Sequence, residues 1–93
     1  MDTLIIPIPP EVEPYEDDIR RFVHAMIYKL KVHHKKGRWE GKAMVEYLPL
    51  LEAEFVELHE AVADGNLMEI MNEAADVANM AMIIASIATE RGK

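Results

Sequence analysis

Two stretches of this chain repeat one arrangement of apolar and acidic residues. Leu51-x-x-Glu54-x-x-Glu57-Leu58 and Ile70-x-x-Glu73-x-x-Asp76-Val77 have the same spacing, displaced by nineteen positions. At roughly 100° per residue, each first acid lies about 300° and each second about 240° around a helix axis from its leading Leu or Ile. Both acidic pairs therefore flank their apolar stripes on the same side, and two antiparallel helices packed along those stripes bring four carboxylates together. Leu50 and Ala61 neighbour the first pair, while Met80, Ile83 and Ile87 extend the face of the second, so the acids stand between apolar surfaces. Four carboxylates converging there resist full ionisation unless a hard, oxygen-preferring divalent ion joins them, which points to Mg²⁺ or Mn²⁺.

The distribution of charge supports that reading. Six of the ten basic residues fall between Lys29 and Lys42, whereas Ala43 through Glu90 hold ten carboxylates and no Lys or Arg. Surface helices normally alternate signs, so this many acids without cationic neighbours need neutralising from elsewhere, by divalent cations or by the basic segment folding back. The net charge of −7 argues against a nucleic-acid duplex as partner, since that affinity comes mostly from Lys and Arg. The absence of cysteine excludes disulfides, zinc ribbons and a thiol nucleophile, and leaves oxygen or imidazole as metal ligands. No unbroken apolar run approaches the roughly 18 residues of a spanning helix, and MDTLIIPIPP lacks the basic flank of a signal peptide, so no membrane association and a cytoplasmic location are expected.

Pro7, Pro9, Pro10 and Pro14 make residues 1–14 an extended arm, and residues 15–93 form one all-α domain. Ile19, Phe22, Val23, Met26, Ile27 and Leu30 share one helical face, which predicts a helix over about 16–36. Gly37 to Gly41 reads as a loop. A second helix over about 48–64 starts at Pro49, carries the stripe Leu51, Phe55, Leu58 and Val62, and ends at Asp64-Gly65. Asn66 and Glu69 have capping-box spacing for a third, over about 66–90, with the stripe Ile70, Ala74, Val77, Ala81, Ile84 and Ala88. No segment alternates with period two, so the class is all-α, a bundle of three helices. Without the arm, about 79 residues are near the lower limit for a lone core. The third helix is apolar on two faces through Met80, Met82, Ile83, Ile84 and Ile87, so a homodimer or tetramer is expected to complete the bundle.

A single Glu-x-x-Glu is usually the wet face of an amphipathic helix; two matched pairs without basic neighbours favour the metal site instead. A ferritin-like di-iron centre needs Glu-x-x-His on two helices, and none occurs here. His59, two residues after Glu57, belongs at the core edge or in solvent.

These residues resemble a known family. Glu54-x-x-Glu57 followed by Glu73-x-x-Asp76 is similar to the signature of the MazG-type all-α nucleoside triphosphate pyrophosphatases. The flanking text Ala53-Glu54-Phe55-Val56-Glu57-Leu58-His59-Glu60-Ala61-Val62 and Glu73-Ala74-Ala75-Asp76-Val77-Ala78-Asn79 matches the family's two acidic helices. His33-His34-Lys35-Lys36-Gly37-Arg38-Trp39-Glu40-Gly41 resembles the His, Lys-Gly and Trp run of small phage-like and bacterial members. The resemblance covers roughly residues 16 to 88. It implies Mg²⁺-dependent cleavage of a nucleoside triphosphate between the α and β phosphorus atoms, with Glu54, Glu57, Glu73 and Asp76 as metal-binding and catalytic residues.

Asn79, three residues after Asp76, stays near the acidic face, where it hydrogen-bonds sugar or phosphate, or simply faces water. Members often carry a basic residue after the second acidic pair, but here none follows before Arg91, so phosphate contacts fall to the stretch Lys29 to Lys42, Lys36 included, or to another subunit. Trp39 offers a face for stacking a base, with His33 or His34 donating to its edge, or else plugs the corner between the first two helices. The alternative to an enzyme is a non-catalytic helical dimerisation module, which the Met-rich third helix suits equally.

Overall fold

The computed structural model describes residues 5–36 and 42–91. Residues 5–9 carry no regular secondary structure, and Pro9 is extended (φ −61°, ψ 151°). The arm then departs from expectation, because Pro10–Tyr15 winds into a 3₁₀ helix, opened by a hydrogen bond from the Val12 N–H to the Pro9 carbonyl. Pro10 stands at the first position of that turn, where its missing N–H costs nothing.

Helix α1 spans Glu16–Val32. Glu16, Asp17 and Asp18 in its first turn and Lys29 and Lys31 in its last complement the macrodipole. It ends four residues before the expected Lys36. The His34 Nδ1–H donates to the Lys31 carbonyl at 2.8 Å, taking a C-terminal acceptor, and the chain tightens into a 3₁₀ turn at His34–Lys36.

A second 3₁₀ turn, Met44–Tyr47, leads into helix α2, Leu48–Asp64. The Glu46 carboxylate accepts from the Ala43 N–H at 2.6 Å, and Tyr47 is buried, so this entry to α2 is anchored at both ends. As the sequence predicts, Gly65 ends α2 in the left-handed conformation (φ 72°), its N–H donating to the carbonyls of Ala61 and Val62. Asn66 caps helix α3, Leu67–Arg91, through Oδ1 accepting from the Glu69 N–H at 3.1 Å. With only Gly65 and Asn66 between them, α2 and α3 form an antiparallel hairpin, and α1 packs on the other side of α3.

The covered faces are rotated from those predicted. In α2 the line facing α3 is Leu51, Glu54, Leu58 and Ala61, while Phe55 and Val62 are 58% and 56% exposed beside a shallow apolar groove shared with Leu58, His59 and Ala63. In α3 the buried positions are Ala75, Asn79 and Ile87, and Ala81 and Ala88 lie outside. The reason is that α3 touches α1 and α2 on two sides, so its covered strip is centred between them. Small side chains, Ala61 and the fully buried Ala75, let the helices approach closely.

Averaged over 18 residues, the segment Leu67–Glu90 reaches a mean hydropathy of 1.2, enough in length and composition to cross a bilayer although no apolar run is unbroken. α1 and α2 both pack on this helix, yet only 17% of that window is buried within the chain.

Leucine in place of Ala75 has no room at the bundle axis. Ala75→Leu is expected to lower stability by about 1–3 kcal/mol through overpacking, read from urea denaturation midpoints.

Candidate metal centre

Glu54 and Glu57 stand one turn apart on α2, and Glu73 and Asp76 one turn apart on α3. The short turn at Gly65 and Asn66 sets the two helices side by side, so the pairs meet across the seam. One carboxylate oxygen from each of Glu54, Glu57 and Glu73 lies within 4.8 Å of the others. Glu54 Oε2 and Glu73 Oε2 are buried without a hydrogen-bond partner. Unpartnered carboxylate oxygens removed from water are costly, and here they belong to two members of one cluster.

The chemistry of the carboxyls registers that cost. Burial pushes the Glu73 carboxyl up to about 7, reinforced by its hydrogen bond to Glu57 and by the charges of Glu57, Asp76 and Glu54. Glu54 is raised as well, first by burial and then by the charges of Asp76 and Glu57, with Lys29 opposing. Protonation of Glu73 relieves part of that repulsion. The donors are all oxygen and number at least three within one coordination sphere's reach, a set suited to a hard divalent ion.

Asp76 stands somewhat apart. Its Oδ2 lies 3.4 Å from the Lys29 ammonium on α1, and both side chains are mostly buried, 15% and 16% exposed respectively. Of the two sources of neutralisation open to the sequence, the basic segment folding back is therefore realised, among the described residues, at Asp76. Lys29 is the residue that sequence reasoning did not single out from its basic stretch. Its signal was its register, since it lies three residues after Met26 and seven after Phe22, on the inward side of α1.

Asn79, expected to meet substrate or water at the acidic face, is instead buried at 7% exposure, and its Nδ2 donates to the Met26 carbonyl on α1 at 3.0 Å. His33 and His34 are exposed at the C-terminal end of α1, outside the carboxylate cluster. His59 is exposed, its ring tilted against Phe55. Trp39 and the side chain of Lys36 lie outside the described residues.

From Glu57 and Glu73 an open groove of about 340 Å³ runs toward the α2–α3 turn, lined also by Glu60, Ala61, Asp64, Asn66 and Glu69. Five of its seven lining residues are acidic, so an anionic ligand enters only in company with cations.

No curated protein and no solved structure matches the chain. The family model for phosphoribosyl-ATP pyrophosphohydrolase matches residues 20–87, a span that contains all four acids, Lys29, Asn79 and most of each helix. The paired acids on an antiparallel helix hairpin and this match agree: the chain belongs to the phosphoribosyl-ATP pyrophosphohydrolase family, hydrolases of phosphoric anhydrides within the MazG-like all-α superfamily.

Proposed function

We propose that the chain is an Mg²⁺-dependent nucleoside triphosphate pyrophosphohydrolase that releases a nucleoside monophosphate and pyrophosphate. The observation that carries this reading is the convergence of Glu54, Glu57 and Glu73 with two buried, unpartnered oxygens between them. Phosphoribosyl-ATP is itself a nucleoside triphosphate derivative, so the family's name and this reading share the bond to be broken.

Glu54, Glu57 and Glu73 would hold Mg²⁺ or Mn²⁺, with Asp76 beside them. When bound, the ion neutralises phosphate oxygens and acidifies water near the α phosphorus. The chain's own residues supply the rest. The carboxylates fix the geometry, the apolar flanks of α2 and α3 strengthen every charge interaction at the seam, and a carboxylate oxygen accepts the proton of the attacking water. His33, which caps α1 one turn after Lys29, would hold the base and phosphates together with His34, Lys36 and Trp39. Asn79 serves by fixing α1 on α3.

The same reading includes a homodimer or larger assembly. Among the described residues no large side chain is fully buried, while Ile27, Leu30, Phe55, Val62, Leu67 and Met68 are at least 40% exposed. A second copy covering these faces would supply the core that one chain lacks.

Three measurements test these statements. Glu57→Gln removes a charge with little change of shape, so turnover should fall by at least about 10²-fold for every nucleoside triphosphate, with pyrophosphate as the quantified product. Unchanged pyrophosphate release would overturn the enzyme reading. In chelator, the raised carboxyls of Glu73 and Glu54 favour the protonated folded state. The stabilising contribution of Glu73 is complete below the ordinary value of 4.5 and is lost as the pH climbs to about 7, and that of Glu54 is lost in the same direction as the pH rises above 4.5. The metal-free melting temperature should therefore fall between about pH 5 and pH 7.5, and millimolar Mg²⁺ should restore it at the upper end. Identical melts with metal and chelator at pH 8 would argue against the centre. Light scattering should give a particle of at least twice 10.6 kDa, and a 10.6 kDa species at micromolar concentration would remove the assembly.

A further inference from the structure

Among the described residues, Lys29 is the cation that stands against the acidic centre. Its ammonium is carried inward on α1 and has only 16% of its side chain exposed, so it has given up most of its hydration. The pairs Arg20–Glu16 and Arg21–Asp18, by contrast, are exposed, lie within α1, and contribute little.

The placement of Lys29 is held from elsewhere. One turn before it on α1, the Met26 carbonyl accepts from the buried Asn79, and one turn before Asn79 on α3 stands Asp76. The Asn79 bond thus sets the antiparallel register in which Lys29 meets Asp76. At 3.4 Å the contact is longer than the 2.7–2.9 Å or so of a strong charge-assisted hydrogen bond. The ammonium is held by charge rather than by directed bonds, and its field reaches Glu54 too. A group held in this way can leave when a stronger cation arrives.

Resting on the reading of a divalent-metal centre, we propose that Lys29 is the resident counter-ion of that centre. It occupies Asp76 in the metal-free protein and must yield this carboxylate for a divalent ion to complete its ligands, so that Lys29 sets how tightly metal is held. The arrangement keeps the metal-free fold from flying apart at its acidic seam, and it weakens metal binding by placing a positive charge beside the ion. Release of Lys29 then leaves a cation at the site where the anionic phosphates arrive, which supplies the basic group absent after the second acidic pair.

The test is calorimetric titration of the full chain with Mn²⁺, alone and without nucleotide, on wild type, Lys29→Gln and Lys29→Met, together with melting in chelator. Lys29→Gln keeps the length and a hydrogen-bond donor, and so guards against misfolding of the Met variant. Both variants should bind Mn²⁺ at least about tenfold more tightly than wild type, because a neighbouring like charge is gone, while melting at lower temperature in chelator. Lys29→Arg should bind as wild type does. Equal or weaker Mn²⁺ binding by the neutral variants, with wild type binding normally, would overturn the counter-ion role and leave the metal centre standing. No Mn²⁺ binding by any of the proteins would overturn both.

Discussion

The arrangement of this molecule turns on carboxylates that are forced toward one another by the packing of two helices. Glu54 and Glu73 sit on the contacting strips of α2 and α3, with Glu57 exposed at the edge beside them, because the residues sharing those strips, Leu51, Leu58, Ala61 and Ala75, bury apolar surface. The hydrophobic contact stabilises the hairpin and draws the acids together at its seam. Glu54 and Glu73 lose water and gain like-charged neighbours, so both are raised, Glu73 to about 7. A site that is unfavourable on its own is thus maintained by burial elsewhere in the same helices, which is how a fold prepares a place for a cation.

The other components of the structure answer that imbalance. Gly65, in the left-handed conformation, allows the reversal that sets the acidic pairs opposite each other, and Asn66 satisfies the first turn of α3 immediately afterwards. On the far side of α3, Asn79 ties down α1 and delivers Lys29 to Asp76. Three helices are the fewest that can do this, two to oppose the acids and one to bring a cation, since the one Lys or Arg in α2 and α3 is Arg91, at the far C-terminal end of α3.

The thinness of the core follows from the same economy of parts. With the seam given over partly to charge, a chain of this size has little left to enclose large apolar side chains, and the second apolar face of α2 through Phe55 and Val62 looks outward. Membership of a family of anhydride hydrolases accounts for the acidic seam. The outward apolar faces call for a further surface, and a second copy is the economical source.

The sequence by itself determined the elements and the chemical character of the centre. Period-3.6 apolar spacing, Pro49, Asp64-Gly65 and the Asn66–Glu69 cap gave α2 and α3 nearly their observed limits, because helix ends depend on local hydrogen bonding and on glycine's freedom at positive φ. The repeated acidic pairs, free of basic neighbours, brought Glu54, Glu57 and Glu73 out as a group, since a three-residue spacing on a helix dictates a shared face. Only the tertiary structure decided which way each helix is turned. Phe55 and Val62 belong to an apolar stripe as legitimately as Leu51 and Leu58, and the choice between the faces rests on Ala61 and Ala75, whose small size permits close approach to a partner that a one-dimensional pattern does not contain. Asn79 reads as polar and outward until α1 is laid across it. Lys29 reads as one of six basic residues until the register of two helices selects it, because an ion pair between residues 47 positions apart is a property of packing and not of spacing.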